Sequence, residues 1–141
     1  MKKVLIICTG NSCRSQMAEG WLKFFSPEIE VHSAGTVPAA RVSSKAIAVM
    51  KEAGIDISGQ TPKSVDQFTG REFDFVITVC DDAKEACPVF TGSVGKRLHM
   101  GFEDPTNAVG SETEVMDAFR KIRDEIGAGF LALSRHELSS G

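Results

Sequence analysis

The 141 residues predict a single α/β domain built on a parallel sheet that is covered on both sides. Short apolar, β-branched runs alternate with stretches of helical periodicity, the pattern of βαβ units. The length is about that of one domain with a core of ordinary size. No internal repeat and no long linker divides the chain, so residues 1–141 are read as one domain, frayed at Ser139-Ser140-Gly141.

Val4 to Cys8 is short and almost wholly apolar, as a strand buried on both faces requires. The turn Thr9-Gly10-Asn11-Ser12-Cys13-Arg14 follows. From Ser15, the spacing of Met17, Ala18, Trp21, Leu22 and Phe25 predicts a helix with one apolar face. Glu30 to Ser33 reads as a second strand, closed by Ala34-Gly35. Ser43 or Ser44 caps a helix with apolar positions Ile47, Ala48 and Met50, stopped at Gly54. Gly59 to Gly70 predicts a loop with a short helical turn.

Phe73 to Cys80 is the clearest strand, carrying Phe75, Val76, Ile77 and Val79. Pro88 and a Gly-bearing loop interrupt the chain after Cys87, and Arg97 to Met100 predicts a last short strand. Ser111 with Glu114 three residues on forms a capping box. It opens a long helix with Val115, Met116, Phe119, Ile122, Ile126, Phe130, Leu131 and Leu133 at helical spacing.

Composition narrows the function classes. Hydrophobic residues at 42% and charged residues at 25% suit an ordinary globular protein. The net charge of −3, with no basic stripe, argues against nucleic acid and membrane surfaces as partners. The apolar run after Met1-Lys2-Lys3 ends too soon for an export signal, so a cytoplasmic protein is expected. In that compartment structural disulfides are rare. The four cysteines, Cys8, Cys13, Cys80 and Cys87, then call for burial, metal or catalysis as their explanation.

The sharpest feature is Cys8-x5-Arg14-Ser15 between a strand and a helix. Five intervening residues let the loop curl with its N–H groups inward, a nest for a tetrahedral anion at a helix N-terminus. Thr9, Gly10, Asn11, Ser12, Cys13 and Arg14 would bind the anion, and Arg14 adds a planar fork for two of its oxygens. Such surroundings favour the Cys8 thiolate, the nucleophilic form, and Ser15 could donate a hydrogen bond to the sulfur. The spacing alone arises often by chance. Its place after a buried strand, where open α/β sheets bind ligands, is what makes it specific. A nucleotide-binding P-loop is excluded because no Gly-Lys-Ser/Thr follows. Cys13 is read as a small buried side chain whose backbone matters more than its thiol.

Cys80 ends the strongest predicted strand, so it should emerge at the same sheet edge as Cys8. Were the stretch to Cys87 helical, the two cysteines would stand about 10.5 Å apart along the axis. A disulfide needs Cα atoms within about 7 Å, so bonding would require the segment to unwind. Pro88 and the glycines after it suit such refolding. A redox pair, two unrelated core residues and a zinc site all remain open here, although the spacings fit zinc poorly. Asp104-Pro105 follows the last strand, and a carboxylic acid there could protonate a departing oxygen. Glu103 is a possible substitute. His32, His99 and His136 read as packed or solvated.

The segment Cys8-Thr9-Gly10-Asn11-Ser12-Cys13-Arg14-Ser15-Gln16-Met17-Ala18-Glu19-Gly20 resembles the start of thioredoxin-coupled arsenate reductases. Ser33-Ala34-Gly35, Gly54-Ile55-Asp56-Ile57-Ser58, Cys80-x6-Cys87-Pro88 and Gly101-Phe102-Glu103-Asp104-Pro105 resemble further landmarks of that family. The resemblance implies the fold of low-molecular-weight protein tyrosine phosphatases, a four-stranded parallel sheet flanked by helices. It also implies a relay. Cys8 attacks arsenate while Asp104 protonates the departing oxygen; Cys80 attacks Cys8 and releases arsenite; Cys87 attacks Cys80, and thioredoxin reduces the resulting disulfide. No bound cofactor is implied, and a monomer is expected.

Some members of that family bind potassium through residues matching Asn11, Glu19 and Ser33 and a nearby aspartate. Here Lys63 stands at the aspartate position, so no metal is expected. The rival is a phosphatase on the same fold, forming a phosphocysteine at Cys8. Such phosphatases carry proline where this chain has Gln16 and tyrosine where it has Thr106, and this chain contains no tyrosine. That reading would also leave Cys80 and Cys87 without a task.

Overall fold

The computed structural model describes residues 2–81 and 89–138. Cys87, the refolding of its segment and the frayed end therefore lie outside the described residues. Four strands, β1 (Lys3–Cys8), β2 (Glu30–Gly35), β3 (Glu72–Thr78) and β4 (Ser93–His99), form one parallel sheet in the order β2-β1-β3-β4. The α-helices are α1 (Arg14–Phe25), α2 (Ser44–Glu52) and α3 (Glu112–Leu133). Short 3-10 turns stand at Val65–Phe68 and Pro105–Asn107, and a π-helical turn at Ser134–Leu138 follows α3.

β1 is buried on both faces, as its apolar run requires. Val4, Ile6 and Cys8 join the larger core, with Met17, Ala18 and Leu22 of α1, Ala46, Val49 and Met50 of α2, and Phe119, Ile122, Ile126 and Phe130 of α3. Leu5 and Ile7 join the smaller one with Ala34, Phe68, Phe73, Val76 and Phe90. The helical cover is thus unequal: among the described residues all three α-helices pack on one face, and the 3-10 turn Val65–Phe68 on the other.

Several elements differ in extent from the sequence reading. β2 runs on to Gly35, which pairs with Cys8. A Cβ on Gly35 would stand 2.3 Å from the Thr9 carbonyl oxygen, so the loop after β1 can pack here only against glycine. β4 begins at Ser93 rather than Arg97, because an exposed edge strand has no apolar run to announce it. In α2 the buried face is Ala46, Val49 and Met50, while Ala48 is exposed. Ser43 is its cap, accepting from the Ala46 N–H, and Gly54 ends it at φ 85°. The capping box of α3 forms in full: Ser111 Oγ accepts from Glu114 N, and Glu114 Oε1 from Ser111 N, both at 3.1 Å. Such a cap contributes about 1 kcal/mol.

Candidate active site

Sheet order places the site. From β1 the chain first adds β2 on one side and later β3 on the other, so the loop after β1 sits where strand order reverses. Cys8 is the last residue of β1, and Arg14 the first of α1. Cys13, at the N-cap of α1, makes no side-chain cap, so the helix N-terminus is left to a ligand. Residues 8–14 line a cavity of 410 Å³, and Asp104 and Thr106 complete its lining.

Asn11 organises the loop. Its φ of 51° is left-handed, a conformation asparagine tolerates better than most residues. Its backbone N–H donates to Cys8 Sγ at 3.1 Å. Its side-chain oxygen accepts from the Lys63 N–H at 2.9 Å, which fixes the orientation of the amide. Nδ2 then donates to Ser15 Oγ at 2.8 Å and to Ser33 Oγ at 2.9 Å. Ser33 Oγ donates in turn to Glu19 Oε1 at 2.6 Å. Ser15 Oγ also shares a hydrogen bond with Cys8 Sγ at 2.9 Å, in which the hydroxyl is the donor when the sulfur is a thiolate. The Asn11 N–H and the Ser15 hydroxyl are thus both in place to donate to a Cys8 thiolate.

Glu19 is 4% exposed. Lys23 Nζ lies 2.6 Å from its Oε2, and Lys63 Nζ lies 3.9 Å from its Oε1 while donating to the Thr61 carbonyl at 2.7 Å. Burial pushes the Lys63 ammonium below the usual lysine range, and Glu19 works against that shift. Gln16 is wholly buried and donates through Nε2 to the carbonyls of Asn11 and Thr61. Gln60 in turn donates to Gln16 Oε1 at 2.7 Å. This clamp on the loop joins residues 44 apart, which no local pattern reveals.

Arg14 is buried, and its Nη1 donates to the Phe102 carbonyl at 3.0 Å. Nη2 stands 3.6 Å from Asp104 Oδ2. The other carboxylate oxygen, Oδ1, accepts from Thr106 N at 3.0 Å and from Thr106 Oγ1 at 2.6 Å. Glu103 is exposed and does not line the cavity, so of the two acids only Asp104 shares that lining with Cys8. Cys13 is buried, as expected of a small packed side chain: burial first, then the Asp104 charge, pushes its thiol far up, and Arg14 only partly opposes this. His32 and His99 pair with Glu30 and Thr78, away from the cavity.

Cys80 lies just past β3, wholly buried. The Val79 N–H donates to the Ile7 carbonyl at 3.1 Å, so Cys80 leaves the sheet beside Cys8 at the same edge. Cys80 is disulfide-bonded, whereas Cys8 and Cys13 are free thiols. Of the site residues read from the sequence, Cys8 to Arg14 and Asp104 line one cavity, and Ser15 bonds to Cys8. Cys80 stands past the end of the neighbouring strand, outside that lining, and Cys87 lies outside the described residues. Sequence reasoning missed the Gln16–Gln60 clamp, the Phe102 carbonyl that anchors Arg14, and the two bonds from Thr106 to Asp104.

A strand-end cysteine, the loop that leads to a buried arginine at a helix N-terminus, and an aspartate thus line one cavity. The chain belongs to the low-molecular-weight phosphotyrosine protein phosphatase family, which its residues 3–138 match. It is 48% identical over 127 residues to an arsenate reductase of Halalkalibacterium halodurans, covering 89% of this chain and 90% of that one. A solved arsenate reductase in the phosphate binding state superposes with a TM-score of 0.77 at 36% identity, over 94% of this chain and 96% of that one. An arsenate reductase in oxidized state gives 0.76 at 34% identity, over the same shares.

Proposed function

We propose that this chain reduces arsenate to arsenite, with Cys8 as nucleophile and Cys80 and Cys87 carrying the oxidising equivalents to thioredoxin. The observation that carries the reading is the Cys8 sulfur, hydrogen-bonded to Ser15 Oγ and the Asn11 N–H in a cavity that Arg14 and Asp104 also line, with Cys80 just past the end of the adjacent strand. Curated relatives at 48% and 47% identity named arsenate reductase support it.

The loop N–H groups and Arg14 bind the arsenate. Cys8 S⁻ forms an S–As bond as one As–O bond breaks, and Asp104 gives its proton to the oxygen that leaves as water. Cys80 then attacks the Cys8 sulfur. The S–As bond breaks, its electron pair reduces arsenic from the +5 to the +3 state, and arsenite departs. Cys87 attacks Cys80 to free Cys8, and the dithiol of thioredoxin reduces the Cys80–Cys87 disulfide. This cycle needs a reducing compartment, so we place the protein in the cytoplasm. No helix among the described residues is long and apolar enough to cross a membrane.

The test is arsenate-dependent NADPH oxidation with thioredoxin and thioredoxin reductase, on wild type and on Cys87→Ser. Wild type turns over, and the variant stops after about one equivalent of arsenite, since each relay step consumes one thiol pair. Steady phosphate release from an aryl phosphate with no arsenite formed would instead establish a phosphatase.

A further inference from the structure

We propose that Thr106 is a positioning residue for the acid: its hydroxyl locks the Asp104 carboxyl so that Oδ2, and not Oδ1, carries the transferred proton. This deepens the arsenate reading above and rests on it.

Asp104 opens the 3-10 turn Pro105–Asn107, and the Thr106 N–H at Oδ1 is the ordinary cap of such a turn. The Thr106 hydroxyl adds something the cap does not need. At 2.6 Å it is the shorter bond, and it falls on the same oxygen. A neutral carboxyl has one carbonyl oxygen and one hydroxyl oxygen, and the carbonyl is the better acceptor. Two donors on Oδ1 make it the carbonyl and leave the proton to Oδ2. That atom faces Arg14 Nη2 at 3.6 Å, while the other end of the guanidinium is held by the Phe102 carbonyl. The anion that Arg14 grips therefore meets the protonated oxygen. Thr106 itself lines the cavity together with the loop that ends at Arg14.

In the reaction the Oδ2–H bond breaks as the As–O bond breaks. The proton leaves with that oxygen as water, and Asp104, now ionised, recovers a proton from solvent. Without the Thr106 hydroxyl, one N–H still caps the turn, but the carboxyl can turn over or protonate on either oxygen. A fraction of bound complexes then presents no proton to the leaving oxygen.

The experiment compares Thr106→Val, which keeps shape and N–H, with Thr106→Ser, which restores the hydroxyl. Each is made in wild type and in Asp104→Asn, with thermal unfolding as the control for folding. Pre-reduced enzyme is mixed with arsenate, and first-turnover arsenite release is followed against arsenate concentration. Loss of one hydrogen bond predicts a maximal rate about three- to tenfold lower in Thr106→Val. Half-saturation should stay within about twofold, and Thr106→Ser should return to within about twofold of wild type. On the Asp104→Asn background Thr106→Val should change nothing further, because the two residues act as a unit. An equal loss on both backgrounds, no loss at all, or failure of serine to rescue would overturn the proposal. If Thr106→Val does not fold, Thr106→Ala is judged by the same outcomes. Absence of arsenite from wild type would sink the arsenate reading and this proposal with it, whereas failure of the proposal alone leaves wild-type turnover intact.

Discussion

Asn11 Nδ2 donates to Ser15 Oγ at 2.8 Å, and the same oxygen lies 2.9 Å from Cys8 Sγ, where its hydroxyl can donate to a thiolate. A hydrogen bond to a charged group is worth about 1.5–3 kcal/mol. Ser15→Ala is therefore expected to slow both arsenite release and alkylation of Cys8 by iodoacetamide about 10- to 100-fold. Asn11→Ala should do the same and also cost stability, since the Lys63 N–H and the Ser33 hydroxyl lose a partner with it. An alkylation rate unchanged in Ser15→Ala would mean that the hydroxyl does not hold the nucleophile.

Cys13 lines the same cavity but should be chemically idle. Burial and the neighbouring Asp104 and Cys8 charges push its thiol far above the usual range, so at neutral pH it carries almost no thiolate. Cys13→Ala is expected to keep arsenate turnover within about threefold of wild type. In a peptide map after brief iodoacetamide treatment at neutral pH, Cys8 should be modified well before Cys13. Labelling of Cys13 at the rate of Cys8 would contradict the electrostatic argument.

The relay assigns different dead ends to its two later cysteines. Cys80→Ser removes the thiol proposed to attack Cys8, so no arsenite should leave, and mass spectrometry should find the Cys8 adduct or its hydrolysis product. A small thiol added in excess should partly restore release by attacking Cys8 in place of Cys80. Cys87→Ser should instead release about one equivalent and leave Cys8 bonded to Cys80. Full turnover by Cys80→Ser would remove Cys80 from the relay.

What the sequence discloses of this site follows from how local each feature is. β1, the loop 9–14 and the start of α1 are continuous in the chain, and their apolar run, turn and helical spacing could be read directly. Asp104 was legible because it follows a strand and precedes proline. Its lock was not, because two donors on one oxygen depend on the rotamers of Asp104 and Thr106 together. The Gln16–Gln60 clamp joins distant segments and leaves no periodic trace. β4 escaped half its length because Ser93, Gly95, Lys96 and Arg97 are exposed on an edge strand, where no burial imposes an apolar pattern.

Lys63 gives the last prediction. Its ammonium stands 3.9 Å from Glu19 Oε1, and Lys23 already pairs the other oxygen at 2.6 Å. The buried carboxylate thus has two cationic neighbours, and a potassium ion entering beside Ser33 and Asn11 would have to displace Lys63 against like charge. Turnover and thermal midpoint are expected to be the same in potassium and in sodium at fixed ionic strength. Lys63→Asp replaces the repelling charge with an oxygen ligand and sets two carboxylates side by side, which is unfavourable unless a cation lies between them. Potassium should then stabilise the variant, by about 1 kcal/mol at several times its dissociation constant, and raise its turnover. Potassium-stimulated turnover in the wild type would show that Lys63 does not hold that place, whereas a Lys63→Asp variant indifferent to potassium would show that the four side chains form no cation site.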